Sequence, residues 1–292
     1  MSPVVTLDLT SFTPELTAEK QLLAVRALEA GSVLVFPRVN FALKPAERRF
    51  LSIAWSDARS KNISLERGVL KGARGTPAER AELAAMIARF ATDAAALVEA
   101  LFPSYARHVK RARTSYRPSP AVGRQVSWRK DDSRLHVDAF PSRPNEGERI
   151  LRVFSNINPN ADRVWRVGEP FEAMAQTLLP RVKRPVPGAA VALAALRVTK
   201  GVRSEYDHLM LGLHDQAKAD LDYQQQCSQQ VVRFAPGTTW VCFSDQVMHA
   251  AVSGQYMLEQ TIHLPLAALY DRDHSPLAIL RRMTGRALAP AR

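Results

Sequence analysis

From about Thr114 to position 270, short β-like runs alternate with turn residues, and this pattern constrains the fold more than any other feature. The runs are SRLHVDAF, ERILRVFSNI, RVWRVG, PGTTWVCFSD and MLEQTIHLPL. Runs of alternating, β-branched and aromatic residues bounded by proline, glycine and asparagine predict short strands. One helical stretch, SEYDHLMLGLHDQAKADLDYQQQ, is inserted among them. We therefore predict an α+β fold in which helices flank a β-sandwich or jelly-roll core at about 114–270, and of the two we favour the jelly roll, a double-stranded β-helix.

The part before this core, about residues 1–113, is predicted to be largely helical. Thr17 can cap a helix over AEKQLLAVRALEAG, which Gly31 ends. The next residues, SVLVFP, predict a short buried strand. Thr76 and Glu79 match a capping box for a second helix, whose apolar spacing continues to Pro103. Because no repeat or low-complexity linker interrupts the chain, we predict a single domain over residues 1–292.

The charge of the chain indicates an anionic partner. Lysine and arginine number 40 and aspartate and glutamate 28, which gives a net charge of +12. Such a charge favours nucleic acid, an anionic membrane surface or an anionic substrate, without choosing among them. Two cysteines, Cys227 and Cys242, and the lack of a signal-peptide pattern at the start lead us to expect a cytoplasmic protein. The longest apolar run, residues 186–196, is shorter than the roughly 20 residues of a membrane-spanning helix.

The motif His136-Val137-Asp138 carries the chemistry. Successive side chains of a strand point to opposite faces, so His136 and Asp138 are expected to project together while Val137 points into packing. His249, which follows the strand-like run TTWVCFS and its turn, is the natural third ligand. Two histidines and one carboxylate leave three coordination positions open, as in non-heme iron(II) oxygenases. The sequence therefore predicts a mononuclear iron site at His136, Asp138 and His249.

Other interpretations remain open at this point. An H-x-D triplet is common by chance, and zinc accepts the same ligands, although the two cysteines lack paired spacing and no H-E-x-x-H helix exists. A serine hydrolase is weakened by the lack of a G-x-S-x-G elbow. A non-catalytic nucleic-acid-binding protein is suggested by the net charge alone, and no recognition-helix, RNP-like or zinc-finger pattern supports it.

The remaining histidines are interpreted as structural or exposed. His208 and His214 lie six residues apart in a helical stretch, which does not place them on one face. We therefore expect both to be structural. His263 is predicted to be a hydrogen-bonded core histidine, whereas His108 and His274 are expected at the surface.

Two long segments, SWRKDDSRLHVDAFPSRPNEGERILRVFSNINPNADRVWRVGEPFE (127–172) and APGTTWVCFSDQVMHAAVSGQYMLEQTIHLP (235–265), are similar to the Kdo hydroxylase family. The resemblance covers most of the chain. It implies an iron(II)- and 2-oxoglutarate-dependent dioxygenase that uses dioxygen to convert a 3-deoxy-D-manno-octulosonic acid (Kdo) sugar on lipid A to its 3-hydroxylated form, Ko, in the inner core of lipopolysaccharide. It also implies that His136, Asp138 and His249 bind the iron. An oxygenase of the same mechanism acting on another anionic substrate is the alternative.

The resemblance also raises the question of which cation binds 2-oxoglutarate. Many relatives place an arginine or lysine about ten residues after the distal histidine, but here Glu259 and Gln260 occupy that region. We predict that Arg152 or Arg149, on the strand after H-x-D, binds the far carboxylate, and we favour Arg152. Gln260 is kept as a further cosubstrate-binding candidate.

The substrate is expected to meet basic residues. Trp128, Arg129 and Lys130 precede the metal motif, and their loop is expected to reach the mouth of the pocket. Two basic stretches, residues 107–117 with Tyr116 interleaved and residues 277–286 (LAILRRMTGR), are expected to contact the anionic surface of the inner membrane peripherally. Kdo-containing lipid A is then the expected partner, and no specific nucleic acid is expected.

Overall fold

The computed structural model describes residues 2–57, 60, 62–123 and 126–289, and within these ranges the chain forms two β-sheets with flanking helices. The strands are β1 (Val4–Thr6), β2 (Val33–Phe36), β3 (Ile63–Glu66), β4 (Val69–Lys71), β5 (Lys110–Arg117), β6 (Arg149–Asn156), β7 (Arg163–Gly168), β8 (Gln229–Phe234), β9 (Thr239–Phe243), β10 (His249–Ser253) and β11 (Met257–Leu264). The α-helices are α1 (Ala18–Glu29), α2 (Pro77–Leu101), α3 (Phe171–Leu178), α4 (Ala189–Ala195), α5 (Glu205–Ala219), α6 (Leu221–Gln226) and α7 (Pro276–Thr284).

The larger sheet is mixed, with the spatial order β1-β2-β9-β6-β11-β5-β3-β4. Its neighbours are antiparallel except for β1 and β2, which run parallel. The smaller sheet has the order β10-β7-β8 and is antiparallel. An aromatic cluster joins the two sheets: Phe234 of β8 stacks on Trp240 of β9 at 3.9 Å, and Trp165 of β7 packs edge-on against Phe154 of β6. The two sheets therefore share an apolar layer.

Helices cover the large sheet on one side. α1 and α2 bury their apolar side chains in one cluster with residues of β2, β5, β6, β9 and β11. The predicted start of α2 is confirmed, because Thr76 and Glu79 form a reciprocal capping box. A second cluster joins α3, α5 and α7 to Leu135 and Val137 of the H-x-D segment and to Met248 and Ala250 beside His249. This second layer of helices fixes the backbone that carries the metal motif.

Two expectations need correction. The first 113 residues are not simply helical, since they supply β1 to β4 and the first residues of β5 to the large sheet. β1, β3 and β4 have only three or four residues each, too few for alternation to be recognised. The run SRLHVDAF is not a regular strand either, because His136 makes only an isolated bridge, to His249. Within the described ranges, no helix combines the length and apolar character needed to cross a bilayer.

Candidate metal and cosubstrate site

The backbone of the H-x-D segment is held by hydrogen bonds to three other residues, His249, Gln224 and Ser244. His136 and His249 exchange both of their backbone hydrogen bonds, at 3.1 and 2.9 Å. The side-chain amide of Gln224 bonds the N–H and C=O of Leu135 at 2.7 and 2.9 Å, and the N–H of Asp138 donates to the carbonyl of Ser244 at 2.8 Å. These partners keep the segment extended, so His136 and Asp138 project to the same side as the sequence predicts.

The three predicted ligands come together. One ligand atom from each of His136, Asp138 and His249 lies within 4.8 Å of the others. Nδ1 of His136 lies 2.8 Å from the carbonyl of Arg134, and Nδ1 of His249 lies 2.8 Å from the carbonyl of Val247. With a proton on each Nδ1, both rings donate to these carbonyls and keep Nε2 free as a ligand atom.

The electrostatics of this group suit a divalent metal ion. Burial lowers the pKa of His136 well below its ordinary value, with His249 adding to the effect, and burial also lowers the pKa of His249. Burial alone would raise the pKa of Asp138, but Arg152 and the two histidines lower it. Oδ2 of Asp138 is buried without a hydrogen bond, although Arg152 lies 2.9 Å away. Two neutral imidazoles and an ionised, incompletely satisfied carboxylate fit such an ion.

These residues line a cavity of about 570 Å³ whose wall carries three arginines: Arg152 and Arg163, which are buried, and Arg117, which is partly buried. Glu259 accepts from Arg117 at 2.6 Å and from Arg152 at 2.7 Å, so this carboxylate joins two of the guanidinium groups. Arg117 also pairs with Asp132 at 3.1 Å. Glu259 therefore does not replace a missing cation. It positions the cations that other strands supply.

Arg163 differs from the other two arginines. Its side chain is buried, yet no aspartate or glutamate of the described residues forms an ion pair with it. Its Nη1 donates to the carbonyl of Gly254 at 2.9 Å, while its Nε has no partner. Burial, with the nearby Arg117, lowers the pKa of Arg163 to about 9. A buried guanidinium that faces a cavity without a counter-ion is suited to binding an anion.

Of the three predicted cosubstrate residues, the structure places only Arg152 in this cavity. Arg149 projects from the other face of β6, where its guanidinium bonds Asp245 at 2.7 Å and Gln246 at 2.6 Å. Gln260 likewise points away from Glu259 and accepts from the hydroxyl of Thr114 at 2.7 Å. Side chains on a strand alternate between its two faces. Arg149 lies three residues from Arg152, and Gln260 lies one residue from Glu259, so each points to the face opposite the cavity. Both are buried structural groups.

Two of the three predicted substrate-binding residues lie at the cavity. Arg129 and Lys130 line it, and Arg129 pairs with Asp215 of α5 at 2.9 Å. Trp128 does not line it, and its ring lies 4.0 Å below the guanidinium of Arg129. The three residues form a short 3₁₀ turn. The aromatic ring therefore supports Arg129 at the cavity wall.

Sequence reasoning missed His214 and misjudged His263. His214 of α5 lines the cavity, with Nδ1 2.8 Å from the carbonyl of Val137 and its ring 5.1 Å from that of His136. Nothing in the helical spacing could show this, because it depends on how α5 packs on the metal segment. His263 is not hydrogen-bonded as predicted, since its buried Nδ1 has no partner among the described residues.

A pocket that joins two histidines, one aspartate and a buried arginine wall is typical of oxygenases that use a single iron ion and a 2-oxo acid. The chain belongs to the Kdo hydroxylase family: the family model described as 3-deoxy-D-manno-oct-2-ulosonic acid (Kdo) hydroxylase matches residues 12–287.

Solved structures agree with this family. The chain is similar to the apo form of the Kdo hydroxylase KdoO, a non-heme Fe(II) alpha-ketoglutarate-dependent dioxygenase, with 46% identity, a TM-score of 0.96 and coverage of 99% of this chain and 98% of that chain. The KdoO complex with alpha-ketoglutarate and Fe(III) gives 46% identity, a TM-score of 0.95 and the same coverage. The cobalt(II) complex gives 46% identity, a TM-score of 0.97 and coverage of 100% and 99%. A search of curated protein sequences found no match.

Proposed function

We propose that this chain is an iron(II)- and 2-oxoglutarate-dependent dioxygenase that hydroxylates C3 of a Kdo sugar on Kdo-lipid A to give Ko. The observation that carries the proposal is the convergence of His136, Asp138 and His249 on a cavity with a wall of buried arginines. Membership of the Kdo hydroxylase family supports the substrate. We also infer that the two facing sheets form the double-stranded β-helix expected of such enzymes.

In this proposal His136, Asp138 and His249 hold the iron. Iron(II) bound there with 2-oxoglutarate and dioxygen supplies the oxidising chemistry for the hydroxylation. The chain keeps both imidazoles neutral by burial and fixes their rings through the carbonyls of Arg134 and Val247. Arg152 keeps Asp138 ionised. The residues of the site therefore hold the donor set ready at neutral pH.

We further propose that Arg163, which lines the same cavity as Arg152, binds a carboxylate of 2-oxoglutarate. Glu259 already neutralises Arg117 and Arg152 in part, whereas Arg163 has no carboxylate partner among the described residues. Arg163 and Trp165 share one face of β7, and Trp165 stacks on His249 at 5.1 Å. A dianion in this cavity would meet both the proposed metal ligands and the guanidinium of Arg163, which has no carboxylate partner among the described residues.

Replacing Arg163 by methionine is expected to raise the KM for 2-oxoglutarate about 10- to 100-fold, since a hydrogen bond to a charged group contributes about 1.5–3 kcal/mol. The apoprotein is expected to be no less stable, because the change removes a buried charge that lacks a counter-ion. Succinate formation against 2-oxoglutarate concentration, together with thermal unfolding, measures both effects. Arg233→Met, at an exposed arginine on β8, is the matched control. An unchanged KM would contradict the assignment.

Arg129 and Lys130 are proposed to bind the acidic sugar. Arg129→Ala is expected to raise the KM for the Kdo substrate about tenfold, as expected for loss of one charge-assisted contact, and to leave the KM for 2-oxoglutarate within about twofold. The two constants are measured in the same assay by varying one ligand at a time. Equal changes in both would place Arg129 on the cosubstrate or on the fold instead.

The proposed function is tested by incubating the protein with iron(II), 2-oxoglutarate, dioxygen and Kdo-lipid A. We expect one oxygen atom to be added to the Kdo sugar for each succinate formed, as shown by mass spectrometry. If succinate forms but only another anionic sugar accelerates its formation, the mechanism stands and the substrate is wrong. If iron does not bind and the protein binds DNA in a salt-sensitive manner, the oxygenase proposal fails.

A further inference from the structure

One surface segment combines basic charge with exposed apolar residues. We call residues 181–203 the α4 segment; their sequence is RVKRPVPGAAVALAALRVTKGVR. The segment holds six basic residues and no aspartate or glutamate. α4 itself has no buried side chain. A helix that carries mainly alanine, valine and leucine but has no fully buried residue is not explained by the core of this protein.

The apolar side chains of the α4 segment face solvent. Of the thirteen exposed large apolar residues of the described chain, five lie between positions 186 and 202: Val186, Val191, Leu196, Val198 and Val202. Val186 and Leu196 are exposed to 71% and 74%. Single exposed apolar residues are ordinary, but a concentration of them marks an interaction surface.

The cations of the α4 segment are available to an external anion. Lys183, Arg184, Arg197 and Lys200 are exposed, and none of them forms an ion pair within the described ranges. Arg181, by contrast, pairs with Asp220. The free cations lie on both sides of α4 in the sequence. The segment therefore combines exposed apolar residues with free positive charge, as do protein surfaces that bind anionic membranes.

The α4 segment is attached at its two ends to two parts of the chain that line the cavity, α5 and the loop at Pro141. At its start, Val182 packs on Gly212 of α5, where an added Cβ would lie 2.4 Å from Val182 Cγ1. At its end, the N–H of Lys200 donates to the carbonyl of Ser142 at 2.9 Å, and Arg203 donates to the carbonyl of Pro141. Pro141 and several residues of α5 line the cavity. The α4 segment is therefore joined at both ends to parts of the chain that line the cavity.

We propose that the α4 segment is the membrane-docking surface of this protein, with its apolar side chains at the boundary of headgroups and acyl chains and its cations on anionic lipid headgroups. The inference deepens the proposed function, since a lipid-linked sugar would then meet the cavity at the bilayer surface. It relies on that function only for the substrate. Two kinds of attraction together give binding that neither gives alone.

Some basic residues of the two stretches that the sequence predicts to meet the membrane also make contacts within the protein. In residues 107–117, Arg117 faces the cavity, Tyr116 is buried with its hydroxyl on the carbonyl of Phe50, and Lys110 pairs with Glu148. In residues 277–286, the cations of α7 bond to neighbouring carbonyls and carboxylates. Arg107 and Arg111 are exposed and form no ion pair within the described ranges, so the first stretch keeps free charge. Neither stretch, however, combines its charge with a concentration of exposed large apolar residues, as the α4 segment does.

Vesicle co-sedimentation of the full-length protein tests the proposal. Wild type is expected to bind vesicles of phosphatidylethanolamine and phosphatidylglycerol, and to bind pure phosphatidylcholine vesicles at least about tenfold more weakly. Val191→Glu/Leu196→Glu and Lys183→Glu/Arg184→Glu are each expected to reduce binding to the anionic vesicles about tenfold or more. Val231→Glu/Arg233→Glu, at exposed positions of β8, is the matched control and is expected to bind like wild type. Circular dichroism checks that each variant is folded.

Binding of both α4 variants at the wild-type level would overturn the proposal, as would wild type that does not bind anionic vesicles. Sedimentation velocity separates a protein partner from a membrane: if the α4 variants only dissociate an oligomer, the segment is an interface between copies and the proposal is wrong. Succinate formation without vesicles is measured in parallel. A protein that binds vesicles through the α4 segment but does not hydroxylate Kdo-lipid A keeps this inference and loses the proposed function.

Discussion

His249→Ala is expected to bind iron(II) at least about 100-fold more weakly than wild type and to lose hydroxylation. Mutating a residue that only hydrogen-bonds a metal ligand already lowers metal affinity about 10- to 100-fold, so removing the ligand itself should cost at least as much. His249 supplies one of the three ligand atoms that lie within 4.8 Å of each other. The alanine leaves a histidine and a carboxylate, too few protein ligands for a stable site. Anaerobic titration with iron(II) and 2-oxoglutarate, followed through the visible charge-transfer band of the chelate, measures the loss.

The same titration has a matched control. His274→Ala removes an exposed histidine that pairs only with Asp271, and it is expected to give the wild-type band. His136→Ala is expected to behave like His249→Ala. If the band persists in both ligand variants at wild-type iron concentrations, the metal lies elsewhere and the proposed site is wrong.

Arg149→Leu is expected to lower the free energy of unfolding by about 3–5 kcal/mol, since it leaves Asp245 buried without its counter-ion. The pair is enclosed: Arg149 bonds Asp245 at 2.7 Å and Gln246 at 2.6 Å, and its guanidinium lies 3.8 Å from the ring centre of Phe243. Urea unfolding followed by circular dichroism measures the change. The folded fraction is expected to retain the wild-type KM for 2-oxoglutarate.

A double variant separates charge from packing. Arg149→Leu/Asp245→Leu removes both charges, so it is expected to be more stable than Arg149→Leu alone. Equal destabilisation in the single and double variants would show that lost packing dominates. If the KM for 2-oxoglutarate rises tenfold in folded Arg149→Leu, Arg149 contributes to binding of the cosubstrate and its assignment as a structural residue is wrong.

Local patterns predicted the parts of the site that depend on local geometry. The two-residue spacing of His136 and Asp138 is enough to place both on one side of an extended segment, even though that segment makes only a bridge. The face of β6 that carries Arg152 follows from the same rule. The capping box of α2 depends on Thr76 and Glu79 alone, so it too could be predicted.

The missed features depend on contacts between distant parts of the chain. The sequence gives no sign that Arg163 differs from other strand residues. Its guanidinium becomes buried, with no carboxylate partner among the described residues, only because β7 packs against the large sheet. His214 reaches the cavity because α5 packs on the metal segment. In the sequence, Glu259 occupies a position where many relatives have a basic residue. In the structure, it accepts hydrogen bonds from Arg117 and Arg152, which supply the cations from other strands.

The reciprocal backbone bonds of His136 and His249 have a consequence for how the protein acquires its metal. The bonds between them join backbone groups and use none of the side-chain atoms that would bind a metal, so the conformational entropy of bringing the two residues together is lost during folding rather than during metal uptake. Loading then requires only side-chain adjustment. A chelator should therefore strip the ion and leave a folded protein that reloads quickly, unlike a zinc finger, which unfolds when its metal is removed.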